Sequence, residues 1–174
     1  VVYYSTPPYT ENNPFAQKEV EVGNNEGTGI YRSDDGGESW KRINADEKYT
    51  GAIIAVSYKN GDLFIANKNG LFVSHDKGVT AYKILDEMVK GLCTIPTAPD
   101  NVYISTCSGV KISTDGGKTF SATGNSGFPV YAKDGAYKQM PGQLSVSPVN
   151  PKKMLVTEHY TGNKLQYYSH DGGN

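Results

Sequence analysis

The sequence predicts an all-β protein built from four-stranded antiparallel sheets that repeat along the chain as the blades of a β-propeller. Three observations predict this fold class. The 174 residues include 20 Gly, 9 Pro and 13 Tyr, a composition typical of strands joined by tight turns. One short motif occurs four times. Short β-rich runs precede and follow the copies of that motif.

The repeated motif reads Ser-x-Asp-x-Gly and begins at Ser33, Ser74, Ser113 and Ser169. The steps between successive copies are 41, 39 and 56 residues. Two nearly equal steps followed by a longer one indicate an array of similar units whose third step carries an insertion.

A complete unit contains runs for four short strands, which we label A to D in chain order. The second unit, for example, contains IIAVSY, DLFIAN, GLFVS and TAYKIL. Blades are predicted over about residues 1–44, 51–85, 90–123 and 142–174, and the set is incomplete at both ends. The stretch DEMVKGL at residues 86–92 is the one place that suggests a helical turn.

The incomplete first and last blades would leave open sheet edges, which proteins avoid. We therefore expect the chain to be a segment of a ring of about six to eight blades, the remainder being supplied by its own propeller or by a second chain. The alternative is a closed ring of four blades, in which VVYYST serves as the last strand of the fourth blade.

The motif suits the turn from strand C to strand D. Ser and Asp oxygens can accept hydrogen bonds from the amides of a tight turn, and Gly provides a positive φ. An aromatic residue packs under the turn in the first and third copies. The carboxylates are expected to be engaged by their own turns rather than to act as catalysts or calcium ligands. The residues assigned this structural role are Ser33, Asp35, Gly37, Trp40, Ser74, Asp76, Gly78, Ser113, Asp115, Gly117, Phe120, Ser169, Asp171 and Gly173.

Bulk properties exclude several functions. Lys and Arg number 17 and Asp and Glu 18, so the net charge of -1 gives no field suited to nucleic acid. No apolar run is long enough to span a bilayer. No motif for a cofactor, a phosphate or a metal is present. A hairpin around PTAPD would place Cys93 nearly opposite Cys107, which permits either a disulfide or two free thiols.

The four copies, and GTGIYRSDDGGESW above all, resemble the Asp-box (BNR) repeat. That repeat is found in sialidases, xyloglucan-specific endoglucanases, sortilin-type receptors and a photosystem assembly factor. Together with LSVSPVNPKKMLVTE, the pattern is most similar to the secreted propeller glycosidases. This resemblance implies a secreted or cell-envelope-exposed protein. Sialidase activity does not fit, because sialidases hold their substrate with three arginines and this chain has Arg32 and Arg42 alone.

Strand direction alternates within a blade, so the B-to-C and D-to-A connections emerge at one end of the sheets, the loop end. The Ser-x-Asp-x-Gly turns emerge at the opposite end, the turn end. The long connections all fall at the loop end, where binding sites usually lie. Their aromatic, amide and acidic side chains suit the C–H faces and hydroxyls of sugars, although such residues are also common in exposed loops. The ligand-binding candidates are Tyr9, Glu11, Asn12, Tyr49, Tyr131, Tyr137, His159 and Tyr160.

Glycoside hydrolysis needs two carboxylates across a cleft, and the candidates at the loop end are Asp134 and Glu158. The sequence therefore predicts a glycan-recognising propeller that forms part of a glycoside hydrolase acting on polysaccharide. The alternative is a non-catalytic propeller that binds peptides or proteins, as sortilin-like receptors and assembly factors do.

Overall fold

The computed structural model describes residues 1–5, 29–44, 46–49, 52–124, 141–158 and 166–173. Within these ranges the protein is all-β apart from one short 3-10 helix at Glu47–Tyr49. Fourteen strands form four separate antiparallel sheets, and each sheet contains one copy of the Ser-x-Asp-x-Gly motif. The predicted fold class is therefore confirmed.

The sheets follow one another along the chain, and each is a simple meander in which neighbouring strands are consecutive. Sheet 1 contains β1 (Val2–Ser5), β2 (Ile30–Ser33) and β3 (Lys41–Asn44). Sheet 2 contains β4 (Ile53–Val56), β5 (Leu63–Asn67), β6 (Gly70–Ser74) and β7 (Tyr82–Leu85). Sheet 3 contains β8 (Val89–Ile95), β9 (Ala98–Thr106), β10 (Gly109–Ser113) and β11 (Ser121–Ala122). Sheet 4 contains β12 (Pro141–Val146), β13 (Met154–Glu158) and β14 (Gln166–Ser169).

The core lies between successive sheets, because alternate residues of each strand point to opposite faces. Ile30 and Ile43 of sheet 1 pack against Leu63, Ile65 and Phe72 of sheet 2. The opposite face of sheet 2 packs on sheet 3, and the opposite face of sheet 3 packs on sheet 4. Sheets 2 and 3 therefore bury both faces, which explains why β5 and β6 are buried along their whole lengths and are apolar except at Asn67 and Ser74.

Each Ser-x-Asp-x-Gly turn is closed by one set of hydrogen bonds. In sheet 1, Ser33 Oγ accepts from the amide of Gly37 at 2.8 Å and donates to Asp35 Oδ1 at 2.7 Å. Asp35 also accepts from the amide of Ser39 at 3.0 Å. The same serine bonds recur in the turns that begin at Ser74, Ser113 and Ser169. Each turn thus satisfies its own exposed amides with its own side chains.

The last glycine of the motif also allows adjacent sheets to approach each other. A Cβ atom on Gly117 of sheet 3 would lie 2.9 Å from the Phe64 ring of sheet 2, and one on Gly173 would lie 2.9 Å from Thr123. The residue before that glycine has open space around it, as at Gly36 and Gly116. In the second turn this preceding position is Lys77, with a φ of 62°, and it is the non-glycine residue with positive φ among those described.

Three expectations are corrected by the strand register. Residues 86–92 form no helical turn, because Val89 begins strand β8. The alternative of a closed four-bladed ring, in which VVYYST is the last strand of the fourth blade, is also wrong. Strand β1 pairs instead with β2 of sheet 1, with Val2 opposite Ser33.

The predicted hairpin pairing of the two cysteines is also wrong. Cys93 lies opposite Tyr103, and Thr106, the residue before Cys107, lies opposite Val89. Cys93 lies four positions after Val89 on β8, or roughly 13 Å along the strand. This exceeds the span of a disulfide, and both cysteines are free and half-buried.

Candidate functional site at the loop end

The loop end of the sheets is defined by the ends of strands B and the starts of strands C. In the described residues it includes the tight turns at residues 67–70 and 106–109 and the D-to-A connection at residues 86–88. Ser5 pairs with Ile30, and Glu158 ends β13 at this same end. The chain therefore leaves sheet 1 after Ser5 and sheet 4 after Glu158 at this end, and it re-enters them here at Ile30 and Gln166.

Glu87 anchors a polar cluster at the loop end. It follows strand β7 of sheet 2, and its carboxylate reaches the B-to-C turn of sheet 3. Ser108 Oγ donates to Glu87 Oε1 at 2.6 Å, and Lys111 Nζ donates to Oε2. The side chains of Glu87 and Lys111 are 23% and 20% exposed. Thr106 Oγ1 lies 3.0 Å from Ser108 Oγ, so the cluster is a connected network.

This network determines the charge of Glu87. Burial tends to raise the pKa of Glu87, but the ammonium of Lys111 and the hydroxyls of Ser108 and Thr106 outweigh it and hold the pKa below its usual value. Glu87 is therefore ionised at neutral pH. Its two oxygens have more lone pairs than their present donors occupy, so they can still accept hydrogen bonds from a ligand hydroxyl.

Tyr49 is the ligand-binding candidate whose side chain the structure describes, and it lies in the core. Its ring is 2% exposed and packs edge-on against Phe72, with ring centroids 5.1 Å apart. Its hydroxyl donates to the carbonyl of Ala81 at 3.3 Å. Asn67 Nδ2 holds the 3-10 helix by donating to the Lys48 carbonyl at 2.5 Å. The ring therefore contributes to packing between sheets 1 and 2.

The other predicted site residues fall where the structure gives no side chain. Glu158 ends β13 opposite Pro141, so its backbone lies at the predicted end of sheet 4. The remaining candidates lie outside the described residues, and these are Tyr9, Glu11, Asn12, Tyr131, Asp134, Tyr137, His159 and Tyr160.

A cavity of about 390 Å³ lies at the turn end between sheets 2 and 3. Its carboxylates are already engaged. Asp62 pairs with His75 at 2.9 Å, Asp100 pairs with Lys59, and Asp115 accepts from the amide of Thr119 at 3.0 Å. Among the residues described, no group of three or more His, Cys, Asp or Glu side chains is placed to hold a metal ion.

The carboxylates of the Ser-x-Asp-x-Gly turns are held ionised. Hydrogen bonds from Thr80 and Ser74 lower the pKa of Asp76 to about 2. Bonds from Ser33 and Ser39 lower the pKa of Asp35, and bonds from Thr119 and Ser113 lower the pKa of Asp115. None of these three carboxylates is suited to carry a proton at neutral pH, which agrees with a structural role.

The sequence analysis did not single out Glu87 or Lys111. The signal was weak, because Glu87 stands beside Asp86 in an ordinary acidic connection and Lys111 interrupts a β-rich run. The position of Glu87 after strand D was the usable clue, since D-to-A connections emerge at the loop end.

Comparison with known proteins supports the fold. No family model and no curated protein matches the chain in sequence. An ancestral GH74 enzyme has a similar structure, with a TM-score of 0.63 and 16% identity over 83% of this chain. A GH74 enzyme from Niastella koreensis gives a TM-score of 0.59 and 19% identity over 83% of this chain. A GH74 xyloglucanase from Xanthomonas campestris gives a TM-score of 0.44 and 14% identity, over 83% of this chain and 33% of the xyloglucanase.

The chain spans 20% and 25% of the length of the first two of these enzymes. Identities this low show the fold alone. None of the described residues forms a helix with the length and apolarity needed to cross a membrane. The chain is thus an all-β protein whose four antiparallel sheets match part of a propeller-like GH74 structure.

Proposed function

We propose that the chain is the glycan-recognising part of a β-propeller glycoside hydrolase that binds polysaccharide across the loop end. The observation that carries the proposal is the half-buried, ionised carboxylate of Glu87 at the same end of the sheets as the strand position of Glu158. In this proposal the four Ser-x-Asp-x-Gly turns are Asp boxes that fasten the scaffold, and the protein is secreted or exposed on the cell envelope.

The arrangement fits sugar chemistry. A polysaccharide presents many hydroxyl donors, and a fixed carboxylate beside a serine hydroxyl provides complementary acceptors. The Glu87 cluster is rigid because it bridges two sheets, so little side-chain entropy is lost when a ligand binds. Aromatic residues of the long connections, Tyr9, Tyr131 and Tyr160, would add stacking surfaces for sugar rings.

Hydrolysis would use two carboxylates with different pKa values. We assign Asp134 and Glu158 to this pair, one as general acid and the other as base or nucleophile. Glu87 fits a binding role better than an acid role, because its pKa is held low and its oxygens are engaged by Lys111 and Ser108.

The test combines polysaccharide pull-down with a reducing-sugar assay on a panel that includes xyloglucan. We expect Tyr9→Ala, Tyr131→Ala and Tyr160→Ala to lose binding, and Asp134→Asn and Glu158→Gln to retain binding but lose hydrolysis. Tyr58→Ala is the matched control, because Tyr58 is 59% exposed at the turn end. Equal loss with Tyr58→Ala, or no polysaccharide binding by the unchanged protein, would refute the proposal.

One observation favours a second function, that of a non-catalytic scaffold that binds a peptide or protein. Among the described side chains, the carboxylates of Glu87 and Asp46 at the loop end are each paired with a lysine, Lys111 or Lys48. A scaffold that binds a charged peptide uses side chains that stay charged. Unlike a glycoside hydrolase, it does not need a carboxyl group that gives up and takes back a proton. Retention of a peptide on the immobilised protein, together with no binding to the polysaccharide panel, would establish this alternative.

A further inference from the structure

The four sheets can be compared residue by residue, because the same register joins strand B to the motif serine in each. Val2 lies opposite Ser33, and Leu63 lies opposite Ser74. Val102 and Met154 occupy the same position in sheets 3 and 4, opposite the serines of their own turns. Two residues further along strand B, on the same face, are Tyr4, Ile65, Ile104 and Val156.

This face of the sheet is buried in three sheets and exposed in the first. Leu63, Val102 and Met154 are 0%, 2% and 4% exposed, whereas Val2 is 42% exposed. At the second position Ile65, Ile104 and Val156 are 0%, 0% and 3% exposed, whereas Tyr4 is 55% exposed. In sheets 2, 3 and 4 the face packs on the preceding sheet.

The last glycine of the Ser-x-Asp-x-Gly turn shows the same difference, since it contacts the preceding sheet in sheets 2, 3 and 4 but not in sheet 1. Gly78 is packed by Ile43, Gly117 is packed by Phe64 and Ile84, and Gly173 is packed by Thr123. Ile43, Ile84 and Thr123 each follow the serine of the preceding turn by ten residues. The nearest atom to a Cβ on Gly37 would be 3.9 Å away and belongs to Trp40 of the same turn.

The position seven residues after the turn serine, occupied by Trp40, Ala81 and Phe120, is also covered in sheets 2 and 3 and exposed in sheet 1. Ala81 and Phe120 pack against the core that their sheet shares with the sheet before it. Trp40 is 44% exposed and makes an edge contact with Tyr4, with ring centroids 6.5 Å apart. Sheet 1 thus carries an apolar surface, formed by Val2, Tyr4, Gly37 and Trp40, which matches the surfaces that bind a preceding sheet. We name it the leading surface.

We propose that the leading surface is an intramolecular interface. It is covered by a further four-stranded sheet of the same protein, contributed by polypeptide upstream of Val1. The chain order of the four sheets supports this choice, because each sheet is covered on this face by the one that precedes it.

A second copy of residues 1–174 is a poorer occupant. The contact at the last glycine of each turn needs a residue at the fourth-strand position of the sheet that covers it, as Ile43, Ile84 and Thr123 provide. Within the described residues, the fourth sheet ends at its third strand, β14. Those fourth-strand residues of a second copy are already packed against its own next sheet.

The proposal specifies the chemistry of the missing sheet. It carries its own Ser-x-Asp-x-Gly turn, and the residue ten positions after that serine is a branched aliphatic or threonine that lies over Gly37. Leu63 follows Ser33 by 30 residues and Val102 follows Ser74 by 28 residues. The upstream serine is therefore expected at a similar distance before Val2. The same segment also supplies a strand A beside β1, which sheet 1 lacks among the residues described.

Hydroxyl-radical footprinting of the native protein, with its own N-terminus, tests the proposal. We expect Tyr4 to be labelled about tenfold more slowly than Tyr58 and Tyr82, because its exposure would fall to the 0–3% of Ile65, Ile104 and Val156 while the references stay at 59% and 62%. We expect Trp40 to be protected as well, because Ala81 and Phe120, at the same position of their turns, are partly buried. Equal labelling of the four residues, or a native chain that begins at Val1, would overturn it. Protection that disappears on dilution would identify a second copy as the occupant and would also overturn it.

A matched set of glycine variants gives an independent readout in the same protein. Gly36→Ala and Gly37→Ala both place alanine at a positive φ, but Gly37→Ala alone would meet the covering sheet. Gly116→Ala and Gly117→Ala provide the reference, since Gly117 is covered by Phe64. We expect the difference in Tm between Gly36→Ala and Gly37→Ala to equal the reference difference. Equal Tm values for Gly36→Ala and Gly37→Ala would refute the proposal.

Discussion

The terminal methyl group of Ile43 in sheet 1 occupies the space where a side chain on Gly78 of sheet 2 would begin. Gly78 also has a φ of 95°. Two requirements therefore act on one residue, since its backbone is left-handed and a side chain there would collide with the preceding sheet. The turn that closes strand C to strand D is thus also the contact that sets the spacing between sheets.

Replacing Gly78 should destabilise the protein more than replacing a glycine with the backbone requirement alone. Gly61 has a φ of 76° and open space around it, so Gly61→Ala should cost about 1–2 kcal/mol of unfolding free energy. Gly78→Ala should cost about 1–3 kcal/mol more because of overpacking against Ile43. Urea unfolding of both variants measures the difference. In the double variant with Ile43→Ala, the additional cost should shrink, and strict additivity would contradict the contact.

The protein should lose stability in acid through its turn carboxylates. The folded pKa of Asp76 is about 2, below the ordinary value of 3.8, so its stabilising contribution is complete above pH 3.8 and is lost as the pH falls through 2. The pKa values of Asp35 and Asp115 are lowered in the same direction. Urea unfolding from pH 7 to pH 2 should show this decline. Asp76→Asn should reduce it.

Lys111 should control the pKa of Glu87. Removing the ammonium with Lys111→Met leaves the carboxylate partly buried, and burial is the largest influence that raises its pKa. We therefore expect the pKa of Glu87 to be higher in this variant than in the unchanged protein. Carbon-detected NMR titration of the Glu87 carboxyl measures the shift. Lys83→Met, which removes the partner of Asp86, is the control and should leave Glu87 unchanged.

Tyr49 should act as a core residue. Tyr49→Ala removes a ring that is 2% exposed and should cost about 3–5 kcal/mol of unfolding free energy. Tyr49→Phe removes the hydroxyl that donates to Ala81 and should cost less than about 1.5 kcal/mol. Thermal unfolding and polysaccharide pull-down are measured together. A loss of polysaccharide binding in Tyr49→Phe without loss of stability would show that the hydroxyl serves the ligand instead.

The cysteines should behave as two free thiols of low reactivity. Burial raises the pKa of both Cys93 and Cys107, so little thiolate is present at neutral pH. We expect two thiols per chain to titrate after denaturation, slow labelling of the native protein, and no change in Tm on adding a reductant. A mass spectrum showing a Cys93–Cys107 peptide pair would contradict the strand register.

The repeat made most of the fold predictable from the sequence. Ser33, Ser74, Ser113 and Ser169 mark strand ends because their hydroxyls close local turns, and the chemistry of such turns is encoded within a few residues. Strand register was predicted less well. The stretch PTAPD suggested that Cys93 and Cys107 were opposite each other, whereas the register is set by which residues of β8 and β9 reach the core.

The candidate site was harder to predict, because it depends on contacts between sheets. Tyr49 follows a loop-like stretch, and nothing local indicates that its ring turns inward against Phe72. The pairing of Glu87 with Lys111 joins the connection between sheets 2 and 3 to a strand of sheet 3, 24 positions further along the chain. Loop composition predicts which end of the sheets binds a ligand, but the side chains that meet there are determined by packing.

Lys77 shows how this repeat can drift during evolution. It stands at a positive φ where the other three turns have glycine, and its side chain has room because this position projects away from the neighbouring sheet. The following glycine has no such freedom. A pattern search that demands both glycines would therefore overlook diverged members, and one that weights the second glycine and the leading serine would recover them.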